Sequence, residues 1–206
     1  GTPYIHDVLG GLKFRISPGS FFQTNTRQAE VLYDVVRRAA GLRPGAVDTV
    51  LDLYCGTGTI GLSLAGECRR VLGVEVLESA IEDARANAAL NAISNVEFLC
   101  ADAPAAAAAA SPTAVTTPDV VIVDPARGGL TLDAASFLSR CGARRVVYVS
   151  CNVATQARDL DRLCNGSGAP FRLVSVQPVD MFPHTDHVET VAVLDRKELT
   201  TAAAAM

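Results

Sequence analysis

The sequence predicts an α/β protein built on one doubly wound, mostly parallel sheet. Short apolar runs rich in β-branched residues recur at 49–55, 71–75, 96–102, 119–125 and 145–151, with helical patterns between them. Strands alternating with helices make βα units and a parallel sheet. These runs end on residues able to do chemistry, Glu75, Asp102, Asp124 and Cys151 among them. Ligands of open α/β sheets bind outside the carboxyl ends of the strands, so such residues share one rim. Two last runs, 171–176 and 188–194, have no helical pattern between them. They are expected to close a seven-stranded sheet as a hairpin.

The elements follow in order. Residues 4–16 alternate loosely around Gly10-Gly11, a hairpin signal. Ser17-Pro18-Gly19-Ser20 is a turn, and Asn25 or Thr26 can cap a helix over Gln28–Ala40. Val31, Leu32, Val35 and Val36 are expected to form its buried stripe, with Gly41 and Pro44 as the stop. The strand at 49–55 runs into Gly56-Thr57-Gly58-Thr59-Ile60-Gly61 and a helix through Leu62 to Ala65. Helices are expected over Glu78–Leu90, Asp133–Cys141 and Thr155–Leu163. Pro104–Pro118 is a low-complexity Ala, Ser and Thr insert, and the chain after Arg196 is expected to fray. The division expected is an N-terminal extension at 1–45, a ligand-binding catalytic domain at 46–197 and a disordered tail at 198–206.

At 206 residues with 49% hydrophobic and 19% charged side chains, the chain has the composition of a folded globule. Six cysteines at 55, 68, 100, 141, 151 and 164 form no C-x-x-C pair, which removes zinc-ribbon and thioredoxin readings. With no secretory signal, reduced thiols in an intracellular compartment are the simpler account. The alanine runs Ala105–Ala110 and Ala202–Ala205 are too short to span a membrane. The net charge of −4 does not advertise nucleic-acid binding, but residues 1–45 hold six basic and three acidic side chains. Any RNA-binding surface is therefore expected to be local, or outside this sequence. The start at Gly1, mid-pattern, suggests a piece of a longer protein.

A strand, a glycine-rich turn and a helix form a context in which backbone can approach a ligand closely. Glu75 follows Gly58 by seventeen residues, near the spacing at which an acid holds ribose hydroxyls. A nucleoside-type ligand is expected there; the plainer alternative is a tight turn followed by a helix-capping acid. Cys151 ends the run Val146-Val147-Tyr148-Val149-Ser150. It is either a nucleophile at the rim or a small buried hydrophobe.

Five stretches then resemble one family: Ser17 to Asn25 (SPGSFFQTN), Asp52 to Thr59 (DLYCGTGT), Asp124 to Gly128, Ser150-Cys151-Asn152, and Asp180 to Thr185 (DMFPHT) with His187-Val188-Glu189. Over Phe14 to Arg196 the chain resembles the catalytic domain of the S-adenosylmethionine-dependent RNA (uracil-5-)-methyltransferases. The resemblance implies a class I methyltransferase-like fold, with Cys151 as nucleophile and Glu189 as the base for the C5 proton. It implies S-adenosyl-L-methionine at Gln23, Tyr54, Gly56, Gly58, Thr59, Glu75 and Asp124, with Asp102 near the adenine. Whether Asp124 serves cofactor or uracil stays open. The implied partner is transfer RNA or ribosomal RNA, bound by a monomer helped by an N-terminal RNA-binding domain, with no membrane and no metal. His184 and His187 lack a third metal ligand. Phe21, Phe22 and Phe182 are either stacking faces or core, and Arg127 and Arg158 either phosphate contacts or solvated. The family's usual prolines are replaced by Ala126 and Val153. A methyltransferase for small molecules or proteins, or a silent RNA-binding fragment, remain the alternatives.

Overall fold

The computed structural model describes residues 1–102, 117–166 and 168–198. Nearly all of the low-complexity insert, and the tail beyond 198, lie outside the described residues. The chain opens with β1 (Ile5–Leu9) and β2 (Leu12–Ile16), an antiparallel hairpin with Leu9 opposite Leu12. Helix α1 (Thr26–Ala40) follows, capped by the Asn25 side chain, which accepts from the Gln28 N–H. Its buried residues are Ala29, Leu32, Tyr33, Val36 and Ala40. Of the stripe expected from aliphatic spacing, Leu32 and Val36 are buried and Val35 packs against the core, but Val31 is 48% exposed and Tyr33 is inside in addition. A tyrosine buries when its hydroxyl finds a partner; Tyr33 finds the Thr59 hydroxyl at 2.8 Å.

The main sheet holds β3 (Thr49–Leu53), β4 (Arg70–Glu75), β5 (Val96–Cys100), β6 (Val120–Val123), β7 (Arg145–Ser150), β8 (Phe171–Val179) and β9 (Glu189–Arg196). Their spatial order is β5-β4-β3-β6-β7-β9-β8. β3 to β7 run parallel, and β9 is antiparallel to both β7 and β8. Helices α2 (Thr59–Leu64), α3 (Glu78–Leu90), α4 (Leu132–Arg140) and α5 (Val153–Cys164) connect the parallel strands. One core cluster joins α1 and α2 to Val50, Val71, Ile122, Val147 and Val191. The other joins α4 and α5 to Leu51, Leu53, Val121, Tyr148 and Leu194. Covering both faces explains why the strands read as apolar runs and not as alternation. Strand order reverses between β3 and β6, and this switch point is where an open α/β sheet forms its crevice.

The N-terminal hairpin is attached through polar side chains on α3. Asp83, Asn87 and Asn91 are spaced by four and face one way. Asn91 accepts from Lys13 N at 2.9 Å and donates to Lys13 O at 2.7 Å. Asn87 does the same for Arg15, at 2.7 and 3.2 Å, and also donates to Thr57 O at 3.1 Å. Asp83 accepts from Arg15 Nε, Ser17 N and Oγ, and Ser20 Oγ. Two asparagine amides stand in for a missing neighbouring strand. Among the described residues no helix is long and apolar enough to cross a membrane, and all six cysteines are free.

Asn87→Ala leaves the buried Arg15 and Thr57 backbone groups unpaired, which costs about 1–3 kcal/mol. Urea denaturation should show that loss, and the Arg15 amide should lose protection from hydrogen exchange. An unchanged midpoint would mean that the hairpin is held by other contacts.

Candidate active site

The turn after β3 is built on backbone that most residues avoid. Tyr54, Gly56 and Gly58 have φ of 64°, 53° and 82°. Such values are uncommon for a bulky side chain and mark Tyr54 as a place where strain is held for a purpose. A Cβ on Gly56 would meet nothing within 4 Å, so the turn faces open space. A Cβ on Gly61 would lie 2.9 Å from Asp52 Oδ2 and 3.0 Å from Val71 Cγ1. Only glycine lets α2 sit this close to β3 and β4. Asp52 is fully buried; its Oδ2 accepts the Gly61 N–H at 2.9 Å, while Oδ1 has no hydrogen-bond partner.

Glu75 ends β4 beside this turn. Its Oε2 accepts from Gly56 N at 3.3 Å, and its Oε1 accepts from Val76 N at 2.8 Å and Leu77 N at 3.0 Å. It faces the glycine turn and ties down the approach to α3, but it does not cap that helix, whose N-cap residue is Leu77 with no side-chain cap hydrogen bond. Thr59 begins α2 against Tyr33. Asp102 is exposed just past β5, at the sheet edge. Gln23 is buried in the loop before α1.

The second half of the site comes from β7 and β9. Ser150 pairs with Thr190 as the last rung of an antiparallel ladder. The residues just beyond this rung are Cys151 and Glu189, and both line one cleft. Because β9 runs against the sheet, its first residue lies at the rim where the parallel strands end. Arg127, Cys151, Phe182, Thr185, His187 and Glu189 line a cleft of about 200 Å³.

The electrostatics of this rim are those of crowded acids. Burial pushes Asp124 from 3.8 to about 8, reinforced by Glu189 and Asp52. Burial pushes Asp52 to about 7 against the Gly61 N–H, with Glu75 adding to the rise. Glu189 is raised by burial. The Cys151 thiol is raised by burial, then by Glu189 and Asp124, and Arg127 opposes them. The Tyr33 hydroxyl is raised by burial and by Asp124, Asp52 and Glu189.

Of the remaining candidates, Phe182 lines the cleft. Phe21 is 72% exposed, and Phe22 packs against the core beside Phe14. His187 reaches the cleft, whereas His184 is not among its lining residues. Arg158 is committed to the fold, paired with Asp159 and donating to Gly128 O at 2.9 Å. Sequence reasoning missed Tyr33, Gln156 and Asp159. Asp159 is fully buried and accepts from Tyr148 Oη, Leu130 N and Arg158 Nε. Their one sequence signal was polar residues at helix positions where periodicity wants apolar ones.

Asp124 is protonated in the folded protein over a range where the unfolded chain has already lost its proton. Stability therefore falls as pH rises from about 4 to about 8. Asp124→Asn should remove that slope. Its melting temperature, compared with the parent's, should gain progressively between pH 5 and pH 8. A difference that stays constant would place Asp124 in a better solvated setting.

The family model described as tRNA (Uracil-5-)-methyltransferase matches residues 8–197. An "uncharacterized RNA methyltransferase" of Chlorobaculum tepidum is 47% identical over 201 residues, 96% of this chain and 40% of that protein. One from Porphyromonas gingivalis is 46% identical, over 95% of this chain and 41% of that protein. Among solved structures, the Pyrococcus abyssi tRNA (uracil-54, C5)-methyltransferase in complex with S-adenosyl-L-homocysteine superposes with a TM-score of 0.78 at 39% identity. It covers 94% of this chain and 45% of its own. The chain thus spans less than half the length of these relatives. On the matched residues and the identity to these relatives, the chain belongs to the tRNA (uracil-5-)-methyltransferase family.

Proposed function

We propose that this chain is the catalytic part of an S-adenosyl-L-methionine-dependent enzyme that methylates C5 of a uridine in RNA, with transfer RNA the first candidate. The observation that supports it most is the shared cleft of Cys151 and Glu189, each next to the last paired residues of adjacent strands at the ligand-binding rim. The Pyrococcus abyssi relative, solved with S-adenosyl-L-homocysteine, supports the cofactor.

The residues present fit that cofactor. The open space over Gly56 admits a ligand against bare backbone. Glu75, beside it, suits a ribose diol, and Tyr54, Thr59, Gly58, Gln23 and Asp102 complete the set proposed to hold the molecule. Asp124 and the unpartnered Oδ1 of Asp52 give the inner end carboxyl oxygens whose ionised form a bound sulfonium would favour. Bound there, the cofactor would supply an electrophilic methyl group.

The chain's own residues do the rest. Uracil C5 is a poor nucleophile, so covalent catalysis is needed. Cys151 Sγ, as the thiolate, adds to C6; the C5–C6 π pair moves to C5 and makes it reactive. Arg127 favours that thiolate, while Glu189 and Asp124 oppose it until they are neutral or screened. After C5 is methylated it still carries its hydrogen. Glu189 removes that proton, the C5–C6 double bond re-forms, and the Cys151 thiolate leaves. A carboxylate raised by burial is a stronger base than a solvated one. Phe182 offers an apolar wall for a base that has left its stack.

Cys151→Ala should abolish 5-methyluridine formation, read by mass spectrometry of digested transfer RNA, while cofactor affinity is kept. Lost cofactor binding would contradict the assigned role. Glu189→Gln should accumulate covalent protein–RNA adduct with ordinary uridine; normal turnover would remove Glu189 as the base.

A further inference from the structure

The ladder between β7 and β9 ends at Ser150 and Thr190. Cys151 and Glu189 lie one residue beyond its last rung, so the ladder alone does not fix them. A one-residue slip would send each side chain to the opposite face. On the far side of the sheet, α5 places one polar side chain under this end. Gln156 is 2% exposed. Its Nε2 donates to Tyr148 O at 2.9 Å and lies 3.4 Å from Thr190 O. Its Oε1 accepts the Thr190 hydroxyl at 2.7 Å, and that hydroxyl is also 3.2 Å from Ser150 O. Thr190 and Ser150 are buried as well. One amide therefore bonds both strands where they deliver the two cleft residues. An apolar residue would fill the space but would not bridge the strands. Fully satisfied buried networks of this kind fix a unique geometry.

We propose that Gln156, acting through Thr190, is a positioning residue that holds Glu189 in register opposite Cys151. The inference rests on Cys151 and Glu189 working as a pair, and its test needs no RNA.

The groups facing the Cys151 thiol are Glu189 on β9, Asp124 after β6, Arg127 in the following loop, and His187 across the cleft. The readout is the pH profile of Cys151 alkylation by iodoacetamide in the ligand-free protein, followed on the Cys151 peptide by mass spectrometry. Glu189→Gln removes a charge that raises the thiol, so its midpoint should fall. Gln156→Met and Thr190→Val should lower the midpoint in the same direction, by on the order of half a pH unit. Thr190→Ser keeps the hydroxyl and should retain the parent midpoint. Should Gln156→Met fail to fold, Thr190→Val, close in shape to the parent, carries the test. A loss of melting temperature with the midpoint unmoved would overturn the proposal and leave Gln156 a structural residue only. A failed methylation assay beside shifted midpoints would fault the proposed function and not the positioning.

Discussion

The structure depends on one strand that runs against the others. β9 enters antiparallel between β7 and β8. Parallel strands deliver only their carboxyl ends to the rim. An antiparallel strand delivers its first residue there, and that residue is Glu189. Cys151, at the exit of β7, then shares a cleft with a carboxylate about 40 positions later in sequence. The ladder brings the two chain segments together, Gln156 bonds to Thr190 at its last rung, and the cores on both faces hold the ladder in place.

The second constraint is electrostatic. Asp52, Asp124 and Glu189 all act electrostatically on the Tyr33 hydroxyl. Burial raises all three acids, and Glu189 and Asp52 raise Asp124 further. Stability is given up there: Asp52 keeps an unpaired buried oxygen, and Tyr54 keeps a left-handed backbone. Both sit where a cationic, nucleoside-like ligand is proposed. Features that a purely structural site would remove are kept where binding could use them.

Much of this was legible in the sequence. The strands, the glycine turn and the acids at strand ends follow from apolar runs and their punctuation. Cys151 stood out as a cysteine at a strand end, but Glu189 entered through resemblance, because no local pattern links two residues brought together only through strand order. The strand order itself was not legible, since β8 and β9 read as a simple hairpin and nothing local says that β9 lies inside. The α1 stripe was incomplete because aliphatic spacing hid Tyr33, whose burial depends on Thr59. Asp83, Asn87 and Asn91 carry no sequence signal for the hairpin they hold, because β2 reaches them only through the tertiary fold.

The most direct test of the account is a trapped adduct. The protein is mixed with S-adenosyl-L-methionine and transfer RNA substituted with 5-fluorouridine, then run on a denaturing gel beside Cys151→Ala. Fluorine at C5 cannot leave as a proton, so Glu189 has nothing to remove and Cys151 stays bonded to C6. The account predicts a slower protein–RNA band that Cys151→Ala loses. A preparation that binds both cofactor and RNA yet gives no Cys151-dependent band would contradict it.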